Sequence, residues 1–587
     1  MLVPLAVALV AYWRTGTCEP DENLSNTSEG VSRLPAQEAA HEAEAPIAYQ
    51  PLDARRLILA GILIAIFAGL AAIPAYRFGK DIKVRTTGRD AERLADEFLA
   101  KRPVNAASYR RVAGLHENLD PFALKYFLER KPVEECDRIY RQATRLLLWE
   151  VRYFRPLEKE EHLVFVDVAG GEVFAYRHLL DEDAPGASLS IVQARSLSEK
   201  FVERQGLALS GFELEDSQAK KRKAREDYTF VWQAKSGDQR NVEEARFRLQ
   251  VDVAGDQVVG LARYFKLAED WERRQRAITL PNQILIIASR ALLVLAAGLG
   301  ILVLVRQIRS GRIPWRATAK VAAALAAMLL FGELNQLSTF SRGYQTEVPW
   351  KAFWLFGGAQ ILLVPLVQGF FGWLLVGLAV SLYPEALRIF RGPARRVWRR
   401  DAAVAVLVSV AAGAAVSKLT AVVFNRFHAY APVRIDLTPG LFDSYLPAAG
   451  FFLSALASCV ILGSAGAVAI YLFRESWARR AWWLWPGSLL LLASLGPARA
   501  HSVPEFFVGW AGNAAMLVVA LGIVAAFFRN NLLAYVGAAF FWSVAGPIES
   551  LLSQPAPFFR WNGVLLVLMS LIVLGWMLAP RGERPKS

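Results

Sequence analysis

Residues 353–383, FWLFGGAQILLVPLVQGFFGWLLVGLAVSLY, form an apolar stretch without a single charged side chain. A helix needs about 20 mainly apolar residues to cross the hydrocarbon core of a bilayer. Comparable stretches recur through the second half of the chain, and hydrophobic side chains make up 54% of all residues while charged ones make up 20%. The sequence therefore predicts a polytopic α-helical membrane protein, for which the lipid bilayer is the first partner.

Ten spans are predicted, one near the N terminus and nine after residue 282. Lysine and arginine accumulate in the cytoplasmic loops of membrane proteins. One alternate set of loops carries 17 of these basic residues and the opposite set carries 6, and Arg55 and Arg56 precede the first span on the side of the richer set. We therefore expect a plasma membrane protein with a cytoplasmic N-terminal flank and with residues 77–282 outside the cytoplasm. The predicted spans are 57–76, 283–305, 317–334, 353–383, 402–424, 446–473, 482–497, 506–528, 532–553 and 561–579.

The chain divides into five parts by composition. One of them contains no apolar span and carries mixed charge, which is typical of a soluble domain. The net charge of +14 does not indicate nucleic-acid binding, because much of it lies in short loops between spans. The parts are 1–54 as a short apolar stub and disordered linker, 55–76 as the first transmembrane helix, 77–282 as an extracytoplasmic tandem α+β module, 283–579 as a nine-span helical membrane domain and 580–587 as a basic cytoplasmic tail.

The soluble part contains an internal repeat. The sequence VDVAG at residues 166–170 recurs at residues 251–255. Each copy lies in a stretch of alternating apolar residues that reverses at a glycine-containing pair, which is a strong signal for a β-hairpin. We therefore expect Gly170 and Gly255 to occupy equivalent turns.

Upstream of each hairpin lie an aromatic strand and an amphipathic helix, the latter at residues 90–102 and again at residues 189–205. This order predicts a helix packed on a small antiparallel sheet, present twice. A chance likeness of two hairpins is the alternative. The arrangement resembles the tandem PepSY-type modules that many bacteria display outside the membrane.

A second resemblance rests on two segments. WEVRYFRPLEKEE at residues 149–161 is one, and ELNQL at 333–337, followed by GYQT at 343–346 and by Trp350, is the other. Both are similar to segments in long bacterial members of the CAAX-protease and bacteriocin-processing (CPBP) membrane family. The resemblance covers roughly residues 85–350 and implies a glutamate-dependent intramembrane protease behind an extracytoplasmic module.

The catalytic residues that this resemblance implies are missing from the sequence. The family needs a Glu-Glu pair followed by arginine on one membrane helix, and no adjacent pair of glutamates follows residue 283. The literal match at residues 134–138 lies in the soluble part, Phe424 and His428 match a second motif, and His501 lacks the expected Asn or Asp partner. We therefore predict no catalytic set and no cofactor. The fallback catalytic candidates are Glu333, Glu549 and His428.

Several polar residues, Gln360 included, lie in the outer halves of the predicted spans, and five of them form a candidate cluster. A charge inside a membrane is costly unless it is paired or faces water, so each of these residues is a functional candidate. Two salt bridges that lock the helices together are one interpretation, and a polar pocket open to the outside is the other. We expect at least one glutamate to lie within hydrogen-bonding reach of Arg290 or Lys418. The five residues are Arg290, Glu333, Lys418, Asn513 and Glu549.

The function predicted from these patterns is a non-catalytic scaffold, sensor or regulator of an envelope process, related to intramembrane proteases. Its expected partner is an envelope protein or peptide bound at the extracytoplasmic module, and no nucleic acid. An active intramembrane endopeptidase and a transporter are the alternatives. No metal site is expected, and the three cysteines lie in different regions, which disfavours a disulfide framework. They are Cys18, Cys136 and Cys459.

Overall fold

A computed structural model describes residue 49 and residues 51–102, 104–389, 395–474, 492–497 and 500–578. Within them the chain is mostly helical, with nine helices long and apolar enough to cross a membrane and with eight strands in one antiparallel sheet. These helices coincide with nine of the ten predicted spans. The stub, most of the linker, the C-terminal tail and most of the predicted span at 482–497 lie outside the described residues.

Long apolar helices precede and follow a group of short helices that belongs to the soluble part, and one further short helix lies in a loop. Those with the length and composition of a membrane span are α1, α7, α8 and α10 to α15 in the following order. The helices are α1 Ala54–Ala71, α2 Gly88–Ala100, α3 Pro121–Leu128, α4 Val133–Ala143, α5 Ile191–Arg204, α6 Glu269–Arg276, α7 Leu280–Arg309, α8 Trp315–Asn335, α9 Leu337–Phe340, α10 Trp350–Leu382, α11 Arg395–Arg426, α12 Pro447–Leu472, α13 Val503–Ile523, α14 Leu532–Leu552 and α15 Pro557–Leu578.

One antiparallel sheet forms the centre of residues 77–282, which we call the sheet domain. Its strand order is β1-β2-β3-β4-β8-β7-β6-β5, so that two runs of four strands meet where β4 pairs with β8. Only two residue pairs join these two strands, Tyr176 with Leu261 and Arg177 with Gly260. The strands are β1 Arg110–Glu117, β2 Leu147–Phe154, β3 Glu161–Asp167, β4 Val173–Leu179, β5 Phe212–Lys221, β6 Glu226–Ala234, β7 Arg246–Ala254 and β8 Gln257–Lys266.

Capping residues set the starts of the two longer helices of the sheet domain. Thr87 precedes α2 and Ser190 precedes α5, and each forms a capping box with the third residue of its helix. A capping box satisfies two backbone N–H groups that a helix otherwise leaves without partners. Both helices then bury an apolar face, on which Leu99 and Val202 are fully buried. The helices predicted at 90–102 and 189–205 are thus present, with starts that the caps define.

The two predicted hairpin turns differ from each other. Between β7 and β8, Ala254 pairs with Gln257, and Gly255 takes a positive φ of 61° in a two-residue turn. Between β3 and β4, the N–H of Asp167 donates to the carbonyl of Glu172, which leaves a longer loop. The residue with positive φ in that loop is Gly171, at 72°. The expectation that Gly170 and Gly255 occupy equivalent turns is therefore wrong, because the two connections have different lengths.

The sheet domain and the membrane helices share one hydrophobic core. Phe127 and Tyr140 of the domain belong to the same buried cluster as Phe452, Phe540 and Phe559, which come from α12, α14 and α15. The chain enters the domain after α1 and leaves it into α7. We call the end of the helix bundle that contacts the sheet domain its domain side. The domain is therefore packed against the bundle and is not suspended on a linker.

Candidate functional site

The ion pairs predicted among the intramembrane charges are absent between the described residues. Glu333 and Arg290 are exposed, Lys418 is partly buried, and within the described ranges none of them makes an ion pair within 4.0 Å. Glu549 instead approaches Arg77, with 3.8 Å between Oε2 and Nη1. The expected pairing with Arg290 or Lys418 is therefore wrong. The physical reason for this difference is that Glu549 lies near the domain-side end of α14, where Arg77 from the segment after α1 reaches it.

The remaining polar candidates also have separate partners. The amide of Asn513 donates to the carbonyl of Ala493 at 3.4 Å. His428 contacts the carbonyl oxygen of Leu128 through Nδ1. Among the residues that the structure describes, no hydrogen bond or ion pair joins His428 to Glu333 or Glu549.

A continuous contact region, which we call the seam, joins the sheet domain to the bundle. Near its centre, Lys125 of α3 donates from Nζ to Glu505 at 2.7 Å and to the carbonyl of Ala429 at 2.8 Å. The Lys125 side chain is only 12% exposed, so the pair is largely removed from water. The seam comprises residues 77–84, 114–128 and 149–157 of the domain and residues 342–350, 428–443, 505 and 549–554 of the bundle.

Arg342 holds one end of the seam. Its guanidinium donates to the carboxylate of Glu150 at 3.2 Å and to the carbonyl of Leu115 at 2.5 Å. A Cβ atom on Gly114 would lie 3.0 Å from Cδ of Arg342, so a glycine lets the arginine lie flat on β1. Arg152 donates in turn to the carbonyl of Arg342 at 2.9 Å. A strand of the sheet and the loop before α10 are therefore held by charge-assisted hydrogen bonds.

Residues 149–161 and residues 343–350, two segments noted in the sequence, contact each other at this end of the seam. Phe154 packs against Tyr344 and Trp350, with ring centroids 5.1 Å and 5.8 Å apart. The N–H of Leu157 donates to the carbonyl of Thr346 at 2.8 Å. Each segment thus supplies one side of an aromatic and backbone contact.

Asp443 is a partly buried carboxylate within the seam. Its Oδ2 accepts from the N–H of Leu115 at 3.4 Å, and its Oδ1 has no hydrogen-bond partner. Burial raises the pKa of Asp443, and the Leu115 N–H and the charge of Arg342 offset only part of that effect. Docking of the domain therefore favours the neutral carboxyl group. The pKa of Asp443 is raised in the docked state. Its contribution to the free energy of docking is therefore complete below the ordinary pKa of aspartate and is lost as pH rises through the raised pKa.

We expect Asp443→Asn to strengthen docking at neutral pH. The amide oxygen still accepts from Leu115, while the desolvated charge is gone. Hydrogen-exchange protection of the Leu115 amide, corrected for intrinsic exchange, should rise several-fold at neutral pH and should match the wild type near pH 4. Equal protection of the two proteins at neutral pH would show that this carboxylate is not desolvated.

A cleft opens on the sheet where its two halves meet. It has a volume of about 370 Å³. The short pairing between β4 and β8 explains its position, because two residue pairs leave the flanking strand segments apart. Apolar rings and polar side chains line it together, among them Leu148, Phe165, Phe174, Arg177, Asp252 and Arg263.

Positive charge predominates in the cleft. Neither Arg177 nor Arg263 makes an ion pair within 4.0 Å in the part of the chain that the structure describes, and Nε of Arg263 is buried without a hydrogen-bond partner. Burial and the nearby Arg145 lower the pKa of Arg263 to about 10. The carboxylate of Asp252 is already bound by the hydroxyl of Thr229 at 2.8 Å. The cleft can therefore bind an anion with an apolar neighbour group.

Sequence reasoning did not identify the cleft residues. Arg177 and Arg263 come from separate strands, and the sequence around each of them indicates only a solvated charge on a hairpin. Only the order of the strands brings them to one cleft. The signal that exists is Gly260, a glycine inside a strand, which often marks a close approach of backbone or side chain. Here a Cβ atom at Gly260 would lie 2.7 Å from the Asp252 carboxylate.

Comparison of the chain with family models, curated proteins and solved structures finds no match. The two resemblances therefore remain predictions from the sequence. The function is argued from the seam, the cleft and their charges.

Proposed function

We propose that the protein is a non-catalytic membrane sensor or scaffold that binds an acidic segment of an envelope protein in the cleft. The unpaired arginines Arg177 and Arg263 carry this proposal. They lie beside Phe165 and Phe174. A ligand carboxylate can therefore bind an arginine while a neighbouring apolar side chain of the ligand packs on a phenylalanine in the same cleft. Hydrogen bonds to charged groups each contribute about 1.5–3 kcal/mol, which is enough for recognition by a few contacts.

The seam supplies the means by which binding is transmitted. The cleft residue His116 lies 3.5 Å from Glu150, which binds Arg342 at the domain side of the bundle. A ligand that moves β1 or β2 therefore changes contacts of the loop before α10. Coupling of this kind needs packed contacts that can adopt two arrangements. A core shared by the domain and the bundle provides such contacts, whereas a flexible tether does not.

We further propose that the sheet domain arose by duplication and lies outside the cytoplasm. One helix precedes β1–β4 and another precedes β5–β8, and the VDVAG sequences lie at the ends of β3 and β7. The orientation rests on the distribution of basic residues between alternate loops. The membrane is then the plasma membrane of a bacterial-type cell.

Trypsin added to intact spheroplasts should cut the chain after Lys223. This side chain is 79% exposed in the loop between β5 and β6. A reporter fused after Ser587 should read as cytoplasmic in the same cells. Full protection of the sheet domain from trypsin, with cleavage only after lysis, would contradict the orientation.

Binding in the cleft is tested with the purified full-length protein and a fluorescent peptide rich in Asp, Glu and Leu. Arg177→Gln and Arg263→Gln should each weaken binding about tenfold or more, because each removes a charge-assisted hydrogen bond. Lys220→Gln is the matched control, since Lys220 is an exposed cation on β5 outside the cleft. Equal losses for all three variants would indicate general charge attraction and would contradict a cleft site.

The competing function is proteolysis. An active endopeptidase of the implied class would need a membrane carboxylate as its base. Cleavage of a membrane substrate that is lost in Glu333→Gln or Glu549→Gln, with the fold intact, would favour the protease and overturn our proposal. The separate partners of Glu549 and His428 favour the non-catalytic function.

A further inference from the structure

Three potential metal ligands converge on β3, on β4 and at the residue before β3. His162 of β3 and His178 of β4 are direct cross-strand partners, and Glu160 immediately precedes β3. One ligand atom from each of the three lies within 4.8 Å of the others. Nε2 of His178 is 2.9 Å and Nε2 of His162 is 4.0 Å from Oε1 of Glu160.

His162 is completely buried, and one of its ring nitrogens has no partner. Its Nδ1 lies 2.8 Å from the hydroxyl of Tyr176, whereas its Nε2 is buried without a hydrogen bond. A buried polar atom without a partner costs about 1–3 kcal/mol. Because Nε2 faces a carboxylate oxygen of Glu160, a cation between the two atoms would satisfy both.

The surroundings hold these three side chains in place. The ring of His162 stacks on the ring of His178, with centroids 4.0 Å apart. Arg155 donates to Oε2 of Glu160 at 2.7 Å, which leaves Oε1 directed at the histidines. Ligands that are oriented by further hydrogen bonds are a regular feature of metal sites in proteins. Tyr176 has this role for His162.

We propose that Glu160, His162 and His178 bind a divalent transition-metal ion of the zinc type, with Oε1 and the two Nε2 atoms as ligands. Two imidazoles and a carboxylate suit such an ion, whereas Mg²⁺ and Ca²⁺ favour oxygen ligands. Zinc binds these ligands at about 2.0–2.2 Å, so neighbouring ligand atoms lie about 3.3 Å apart. The present separations bracket that value, and small side-chain shifts complete the site. The Glu160 carboxylate is the more exposed ligand and gives the ion access from solvent.

The ion would stiffen a segment that reaches the seam. Glu160 ends the loop between β2 and β3, and Leu157 in the same loop donates to the carbonyl of Thr346. Fixing Glu160 to β4 through the metal therefore restrains the part of the domain that contacts the loop before α10. This inference does not depend on a ligand in the cleft.

The test uses the purified full-length protein, freed of metal by a chelator and then titrated with Zn²⁺ or Co²⁺. We expect one equivalent to bind, and Co²⁺ should show the visible absorption of a tetrahedral nitrogen–oxygen site. Glu160→Gln and His178→Gln should weaken binding at least 100-fold. Both positions have some exposure, so these variants should fold, and circular dichroism checks this.

His501→Gln is the matched control, because it removes a histidine from a different part of the chain and should leave metal binding unchanged. Exchange protection of the Leu157 amide should also increase when Zn²⁺ is added to the wild type, and not in His178→Gln. Absence of stoichiometric binding, or binding that survives both ligand substitutions, would overturn the proposal.

Discussion

Replacing Lys125 by glutamate should separate α3 from the bundle and lower the exchange protection of the α3 amides by about 100-fold. In the wild type Nζ of Lys125 lies 2.7 Å from Glu505, and the two side chains are only 12% and 21% exposed. The reversal places two carboxylates near each other with little water to screen them. Loss of a largely buried pair costs about 3 kcal/mol or more, and each factor of ten corresponds to about 1.4 kcal/mol.

Two further variants make this result specific. The exchange Lys125→Glu with Glu505→Lys restores opposite charges and should recover most of the protection. Lys223→Glu breaks a pair with Asp183 whose side chains are 79% and 60% exposed, and it should have almost no effect. Wild-type protection in the single Lys125→Glu variant would mean that the sheet domain does not rest on the bundle at α3.

Local signals were sufficient for α2, for α5 and for the nine long apolar helices that the structure describes. The apolar stretch 353–383 became α10, Trp350–Leu382, because its length and lack of charge leave a membrane helix as the structure that satisfies its backbone. The helix predicted at 90–102 begins at Gly88 because Thr87 caps it. Hydrophobic periodicity and capping residues act within a few positions, so a single sequence contains them.

The short helices between β1 and β2 were not predicted. Helices α3 and α4 have no counterpart in the second half of the domain, and each is brief enough that periodicity gives little signal. They nonetheless carry Lys125, which binds Glu505, and Asp137, which accepts from the hydroxyl of Tyr76 after α1. These partners are distant in sequence, so packing of the whole chain decides them.

The candidate charges were identified in part, but their partners were not. Glu549 was found because a carboxylate in an apolar stretch is conspicuous, whereas Arg77 lies just beyond a span and looks like an ordinary flanking charge. Their approach to 3.8 Å depends on the segment after α1 passing the end of α14. In the same way, Glu160 and His162 are near each other in sequence, but His178 joins them only through the register of β3 and β4.

Replacing Gly114 by leucine should disrupt the other end of the seam. A Cβ atom at this position would lie 3.0 Å from Cδ and 3.1 Å from Nη1 of Arg342, before the rest of the side chain is added. Overpacking costs about 1–3 kcal/mol. Displacing Arg342 also breaks its hydrogen bonds to Glu150 and to the carbonyl of Leu115, which are charge-assisted and contribute about 1.5–3 kcal/mol each. The combined loss should lower exchange protection in β1 by at least 100-fold.

Replacement of a second glycine tests whether the loss comes from Arg342 or from a general intolerance of glycine replacement. Gly211 precedes β5, has no atom within 4 Å of an added Cβ and has an ordinary negative φ, so Gly211→Leu should keep wild-type protection in β1. Arg342→Ala in the Gly114→Leu background should relieve the overlap while leaving Glu150 without its arginine, and protection should recover only in part. If Gly114→Leu alone behaves like Gly211→Leu, Arg342 does not lie on β1, and the path proposed from the cleft to the bundle loses its connection.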